Sequence, residues 1–201
     1  MFAKYYDAMT GRYERHIAER KEQLFAGIGG TVVEIGPGTG ANLRYVPAGT
    51  RWIGVEPNPH MHDQLRESAE RAGVDADVRL AGAGGIELED AAADVAVSSL
   101  VLCSVPDVPQ VLGEIRRVLK PGGELRFIEH VAAPRGTALR RAQKVLKPLW
   151  YLFGDGCRID RDIGSAIESA GFSSANIETF RVPKPYAPAW VSPHIAGSAR
   201  R

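Results

Sequence analysis

Residues 32–42 read VVEIGPGTGAN, which sets glycines at 36, 38 and 40 behind an apolar run and a carboxylate, Glu34, two residues before the first of them. Glycines placed this way let backbone amides approach a ligand at the carboxyl end of a sheet, where doubly wound folds bind cofactors. Glu34 narrows the ligand, because a fixed carboxylate beside the loop repels a pyrophosphate and suits a group carrying an ammonium and a sulfonium. Glu56 follows Gly36 by twenty residues, at the end of the next apolar run. An acid at that place accepts both hydroxyls of an adenosine ribose. Together the two acids favour S-adenosyl-L-methionine over NAD. Read singly, the glycines make only a tight turn and Glu34 is only a strand-end charge; read as a set, they describe a cofactor site. Asn42, Pro57, Ser99 and Leu100 complete that set at the ends of the same runs.

Those residues need a scaffold, and the chain supplies one by alternating β-branched runs with helical periodicity, the signature of βαβ units and a parallel sheet. Strands are expected at 31–35, 51–56, 76–81, 94–101, 124–131, 175–180 and 194–199, and helices at about 12–27, 59–72, 108–119, 137–153 and 161–172. KPGG, ending at Gly123, is expected to stop a helix and turn the chain into the next strand. Residues 137–153 have Leu139, Ala142, Leu146, Leu149 and Phe153 on one side and Arg140, Arg141, Lys144 and Lys147 on the other. Such a helix lies on a membrane surface or, more commonly, packs on a sheet, and the second arrangement is expected here, with Pro148 ending or kinking it.

Lysine plus arginine (25) nearly balances aspartate plus glutamate (24), so no charge excess draws the chain to nucleic acid. No basic stripe with interleaved aromatics appears, and a small-molecule partner fits better. The opening residues carry charges every few positions and no run long enough for a signal peptide or a membrane span, so a cytoplasmic protein is expected, with peripheral membrane contact left open. Its 201 residues suit one domain, with residues 1–30 as a helical cap and 132–160 as an acceptor-side insertion. Cys103 and Cys157 lack disulfide-framework or zinc spacing and are read as free thiols; no metal site is expected.

EIGPGTG, VEPNPHM and LKPGGELRF make residues 31–131 resemble the class I S-adenosylmethionine-dependent methyltransferases. That resemblance implies a seven-stranded, mostly parallel α/β sheet with a reversed last strand. It also implies that Glu34 orients the methionine end, that Gly36 and Gly38 line it, and that Glu56 binds the ribose. Many members carry an acid after the third strand for the adenine amino group; here Ala83 stands there, leaving the backbone near Gly82 and Ala83 for that contact. SLVLCSV, EHVAAP with the downstream W-x-L-F-G-D-G-C, and PHIAGSA are further similar to the alkyl thiol methyltransferases, the methyltransferase-like 7 family. This implies methyl transfer to a small thiol or hydrogen sulfide. Methylation of nitrogen, carbon or oxygen in a phospholipid, quinone or natural product is the alternative.

A sulfonium methyl comes already activated, so the transfer needs alignment and a way to favour the thiolate of the acceptor. Asp155, between Gly154 and Gly156, as a base or a group orienting one, and His130, just past the fifth strand, are the candidate catalytic groups, with His194 a third candidate base. Cys157, Trp150, His194 and Tyr6 are the candidate acceptor-side residues, with Cys157 read as pocket wall rather than nucleophile.

Overall fold

The computed structural model describes residues 11–154 and 156–201. Seven strands form one sheet: β1 (Thr31–Ile35), β2 (Arg51–Val55), β3 (Ala76–Arg79), β4 (Ala93–Ser99), β5 (Leu119–His130), β6 (Ser174–Arg181) and β7 (Pro193–Arg200). Their order is β3-β2-β1-β4-β5-β7-β6, and β7 runs antiparallel to both β5 and β6 while the other neighbouring pairs are parallel. The α/β class and the reversed last strand therefore stand as expected. Strand order changes direction between β1 and β4, and the crevice outside their carboxyl ends is where such sheets bind ligands.

Strand β1 shows why the centre of the sheet reads as a continuous apolar run. Val33 and Ile35 pack into one core with Leu112 and Ile115, while Val32 packs into a second core with Leu24, Phe25 and Leu65. Both faces are covered, so neither face of the strand meets solvent, and its one acid, Glu34, is buried. The covering helices are α1 (Ala18–Phe25), α2 (Pro59–Ala72), α3 (Val108–Val118), α4 (Ala138–Phe153) and α5 (Ile163–Ser169). Asn58 caps α2, Asp107 caps α3 and Thr137 caps α4, each side chain accepting a first-turn amide. Gly73, at φ 66, closes α2 in the left-handed region open to glycine.

Three local expectations change. KPGG ends the helix but makes no separate turn: β5 already starts at Leu119, and the residues form an irregularity where pairing jumps from Ala93↔Leu119 to Val95↔Glu124. Strand β4 ends at Ser99 because Leu100 takes φ 64 and leaves the ladder. Helix α4 covers the expected range and runs through Pro148 to Phe153, so the proline does not end it. Its inward face also differs from the expected one. Leu149 is 57 % exposed, whereas Gln143 is fully buried, accepting from the Ala133 amide and donating to the Val131 and Trp190 carbonyls. No helix among the described residues is long and apolar enough to cross a membrane.

Candidate active site

A cavity of about 1070 Å³ opens at the switch point between β1 and β4. Its walls include Gly36, Gly38, Gly40, Asn42, Glu56, Pro57, Ala83, Ser99 and Leu100, so nine of the ten expected cofactor residues share one space. The tenth, Glu34, lies behind that wall. It is 1 % exposed, and its two oxygens accept from Asn42 Nδ2 at 2.6 Å and Trp52 Nε1 at 3.1 Å. Gly54 makes this possible, since a Cβ there would collide with the Trp52 indole. Burial raises the Glu34 pKa, opposed by the bonds from Asn42 and Trp52.

Glu56 caps the glycine loop as well as lining the cavity. One oxygen accepts from the Gly38 amide at 2.9 Å, the other from the Asn58 amide at 2.8 Å. A carboxylate keeps further acceptor sites, so ribose hydroxyls can still be bound. Gly36 has φ 59 and a Cβ there would run into Val101, while a Cβ on Gly38, at φ 58, would meet nothing within 4 Å. Gly36 thus serves packing and Gly38 leaves open space. Asn42 Oδ1 and Ser99 Oγ are buried and have no hydrogen-bond partner among the described residues, although both residues line the cavity. Orphaned polar atoms on two cavity-lining residues, one just after the glycine loop and one at the end of β4, with open space at Gly38, fit S-adenosylmethionine.

Two residues the motif reading missed sit over the same loop. Lys21, 2 % exposed, donates to Glu14 at 2.6 Å, and both side chains line the cavity. The available signal was the register of Lys21: with Ile17 and Leu24 it occupies the buried stripe of the first helical segment.

The acceptor-side candidates gather elsewhere. Cys103 and Cys157, both buried, pack with Ile159 against Trp150 and Trp190. His130 faces Cys157, Nδ1 to Sγ at 3.8 Å, and its Nε2 points at the Trp190 carbonyl at 3.4 Å. The hydrogen bond from Cys103 pulls the Cys157 thiol down, with His130 adding to the effect, while the same bond and burial push Cys103 well up. His194 pairs with His130 in register across β5 and β7, their rings 5.5 Å apart. Its Nδ1 donates to the Ser192 carbonyl at 2.9 Å and its Nε2 accepts from the Tyr13 hydroxyl at 2.7 Å; burial drops its pKa to about 4. None of His130, Trp150, Cys157 and His194 is a wall of the large cavity. They stand behind loop 100–106, which is. Asp155 and Tyr6 lie outside the described residues.

That loop is held by a buried carboxyl group and a half-buried guanidinium. Glu129, fully buried at the end of β5, accepts from the Ser98 hydroxyl at 2.7 Å and the Val101 amide at 3.1 Å. Burial pushes its pKa up to about 7. Arg161 donates to the carbonyls of Leu102, Cys103, Val105 and Pro106.

A family model described as a methyltransferase domain matches residues 33–127. Over 202 residues the chain is 39 % identical to the human thiol S-methyltransferase TMT1B, a match covering 95 % of this chain and 82 % of the relative. It is 27 % identical to the phosphatidylethanolamine N-methyltransferase of Cereibacter sphaeroides over 65 % of this chain and 66 % of the relative. Among solved structures, an S-adenosylmethionine-dependent methyltransferase from Thermotoga maritima superposes with a TM-score of 0.70 at 23 % identity, covering 99 % of this chain and 96 % of that one. The geranyl diphosphate C-methyltransferase of Streptomyces coelicolor, crystallised with S-adenosyl-L-homocysteine, gives a TM-score of 0.72 at 18 % identity, with coverage of 94 % and 81 %.

Proposed function

This chain belongs to the thiol S-methyltransferase family and is an S-adenosylmethionine-dependent methyltransferase; from that premise we propose that its acceptor is a small, apolar thiol. The observation that carries the proposal is similarity to thiol S-methyltransferases across 95 % of the chain, beyond the 33–127 methyltransferase core into the half that holds the cysteine and histidine cluster.

In this reading Glu56 takes the ribose hydroxyls, backbone near Gly82 and Ala83 meets the adenine, and the amides at Gly36 and Gly38 border the methionine end. Asn42 Oδ1 accepts from the ammonium, and Glu34 acts through Asn42 by holding its amide in that orientation. Lys21 and Glu14 offer the amino-acid zwitterion one charge of each sign. The cofactor, when bound, supplies a methyl group already activated on a sulfonium.

The chain's own residues then have two tasks. One is alignment, which falls to the wall at Ser99, Leu100 and loop 100–106. The other is the acceptor's proton, since only the thiolate is a strong nucleophile. Asp155 and His130 are the groups proposed to take it. For His130 the support is an Nδ1 turned to a thiol while Nε2 faces a carbonyl, which leaves Nδ1 as the nitrogen that accepts. Net, the acceptor loses a proton and gains a methyl, giving a methyl thioether, S-adenosylhomocysteine and one proton. Segment 132–160 is proposed as the acceptor side. A cytoplasmic setting, where thiols stay reduced, fits two free cysteines.

The test is production of S-adenosylhomocysteine by purified protein with hydrosulfide and a series of alkyl thiols. Turnover rising with alkyl chain length supports the reading. Cofactor binding without thiol turnover above the uncatalysed rate overturns the thiol acceptor, and lipid and quinone acceptors are then the panel to run.

A further inference from the structure

Helix α4 carries two apolar stripes and only one of them is used. Leu139, Gln143, Leu146 and Trp150 turn inward, and the three hydrogen bonds of the Gln143 amide fix the helix in that rotation. On the other side, Val145, Leu149 and Leu152 are 77 %, 57 % and 76 % exposed. Their spacing of four and three residues puts them on one line along the helix. With Tyr151 they account for four of the six exposed large hydrophobic residues found among the described residues. Concentration of this kind in one element marks a contact surface, whereas single exposed apolar residues are ordinary.

The charges on the helix itself are all of one sign. The helix holds Arg140, Arg141, Lys144 and Lys147 and no acid. Lys147 pairs with Asp160. Arg141 and Lys144 are exposed, and among the described residues no ion pair engages either. Arg141 lies one turn before Val145 on the same line, and Lys144 borders it. A second copy of this helix laid against the stripe would bring like charges together. An anionic headgroup layer complements both the apolar line and its cationic border.

We propose that the outward face of α4 docks on an anionic phospholipid surface, with Val145, Leu149 and Leu152 entering the headgroup boundary and Arg141 and Lys144 facing the phosphates. The inference is independent of which acceptor is methylated. Trp150, on the opposite side of the same helix, packs in the cysteine cluster, so docking would set the acceptor side of the fold beside the lipid.

The experiment is sedimentation of the full chain with phosphatidylcholine vesicles prepared with and without phosphatidylserine, at low and high salt. Binding should require the anionic lipid and weaken with salt. Removing both cations as Arg141→Gln/Lys144→Gln should weaken it about 25-fold, from about fivefold for each charge near the surface. Val145→Ser/Leu149→Ser/Leu152→Ser should abolish it while S-adenosylhomocysteine affinity stays at the wild-type value. If the serine variant melts early, the glutamine pair decides alone, because those side chains are solvent-exposed. Absence of wild-type binding to anionic vesicles overturns the proposal, as does wild-type binding by the glutamine pair. A concentration-dependent dimer that the serine variant abolishes also overturns it, by showing that a second copy covers the face.

Discussion

Replacing Glu34 by glutamine tests how the buried carboxylate serves the cofactor without touching the cavity. Both oxygens of Glu34 accept, from Asn42 Nδ2 and from Trp52 Nε1. A glutamine has one acceptor oxygen and one donor nitrogen. Trp52 is fully buried in the core and its indole can only donate, so the new oxygen goes to Trp52 and the new NH₂ group faces Asn42. Asn42 resolves the clash of donors by flipping its amide, which puts Nδ2 in the place of the buried, unpartnered Oδ1. The site proposed to offer the cofactor's ammonium an acceptor would then offer a donor. A hydrogen bond to a charged group contributes about 1.5–3 kcal/mol. Its loss should weaken S-adenosylhomocysteine binding by about 10- to 150-fold at 1.4 kcal/mol per decade. Calorimetric titration reads this directly, and 5′-methylthioadenosine, which lacks the amino-acid end, is the control. Its affinity should change by less than about threefold, since a flip at Asn42 costs it no charged contact. Equal weakening of both ligands would show general damage to the loop, and unchanged affinity for S-adenosylhomocysteine would show that Asn42 does not face the ammonium. Either result refutes the relay from Glu34 through Asn42.

Three further outcomes are open to direct test. Asp155→Asn should lower turnover with cofactor affinity nearly unchanged, whereas Cys157→Ser should keep most activity because methyl transfer needs no covalent enzyme intermediate; steady-state kinetics showing the reverse order would reassign the loop. Glu129 is held up to about 7 against an ordinary 4.5, so the folded chain binds the extra proton between those values and stability falls as pH rises through them, by roughly 3 kcal/mol in all. Glu129→Gln should remove that fall, and a difference between wild type and variant in urea melts that is the same at pH 5 and pH 8 would contradict it. His194 works in the opposite direction: burial depresses it from 6.5 to about 4, so the stability it allows is full above 6.5 and is lost as pH falls toward 4. Tyr13, His130 and Arg20 surround it, and His194→Gln should flatten the acid limb of the melting profile; a limb of unchanged slope would place the acid sensitivity elsewhere.

The cofactor end was legible because its signals are local. A β-branched run, glycines at fixed offsets and an acid at the end of the next strand all lie within residues 31–56, and structure places strand limits and cavity walls there with little change. Glu34 shows where locality stops. Its position was readable, but its partners depend on Gly54 leaving room for the Trp52 indole, a relation between side chains on adjacent strands. The cysteines show the same limit over a longer distance. Cys103 and Cys157 meet because β4, β5 and the segment after α4 converge, and no spacing in the chain encodes that. Helix α4 misled for a different reason. Its periodicity is real, yet apolar residues occupy both faces, and Gln143, a polar residue, anchors the inward one through backbone groups that sequence patterning does not weigh.

Loop 100–106 joins these two regions, and its construction suggests where each would be felt in catalysis. It leaves β4 through Leu100 at φ 64, a left-handed conformation that costs a branched residue of order 1–3 kcal/mol unless its surroundings impose it. The surroundings do so from both polar sides. The Leu100 amide is tied to the Ile128 carbonyl at 2.8 Å and the Val101 amide to Glu129, while Arg161 gathers the carbonyls of residues 102, 103, 105 and 106. The Glu129 carboxyl group thus takes the Val101 amide and the Arg161 guanidinium the carbonyls, and neither side chain reaches the cavity. Both act through the backbone, on the position of Ser99, Leu100 and Val101 at the wall. A wall fixed before the acceptor arrives leaves less ordering to be done on binding, and for a displacement whose barrier depends on alignment that saving appears in turnover rather than in cofactor affinity.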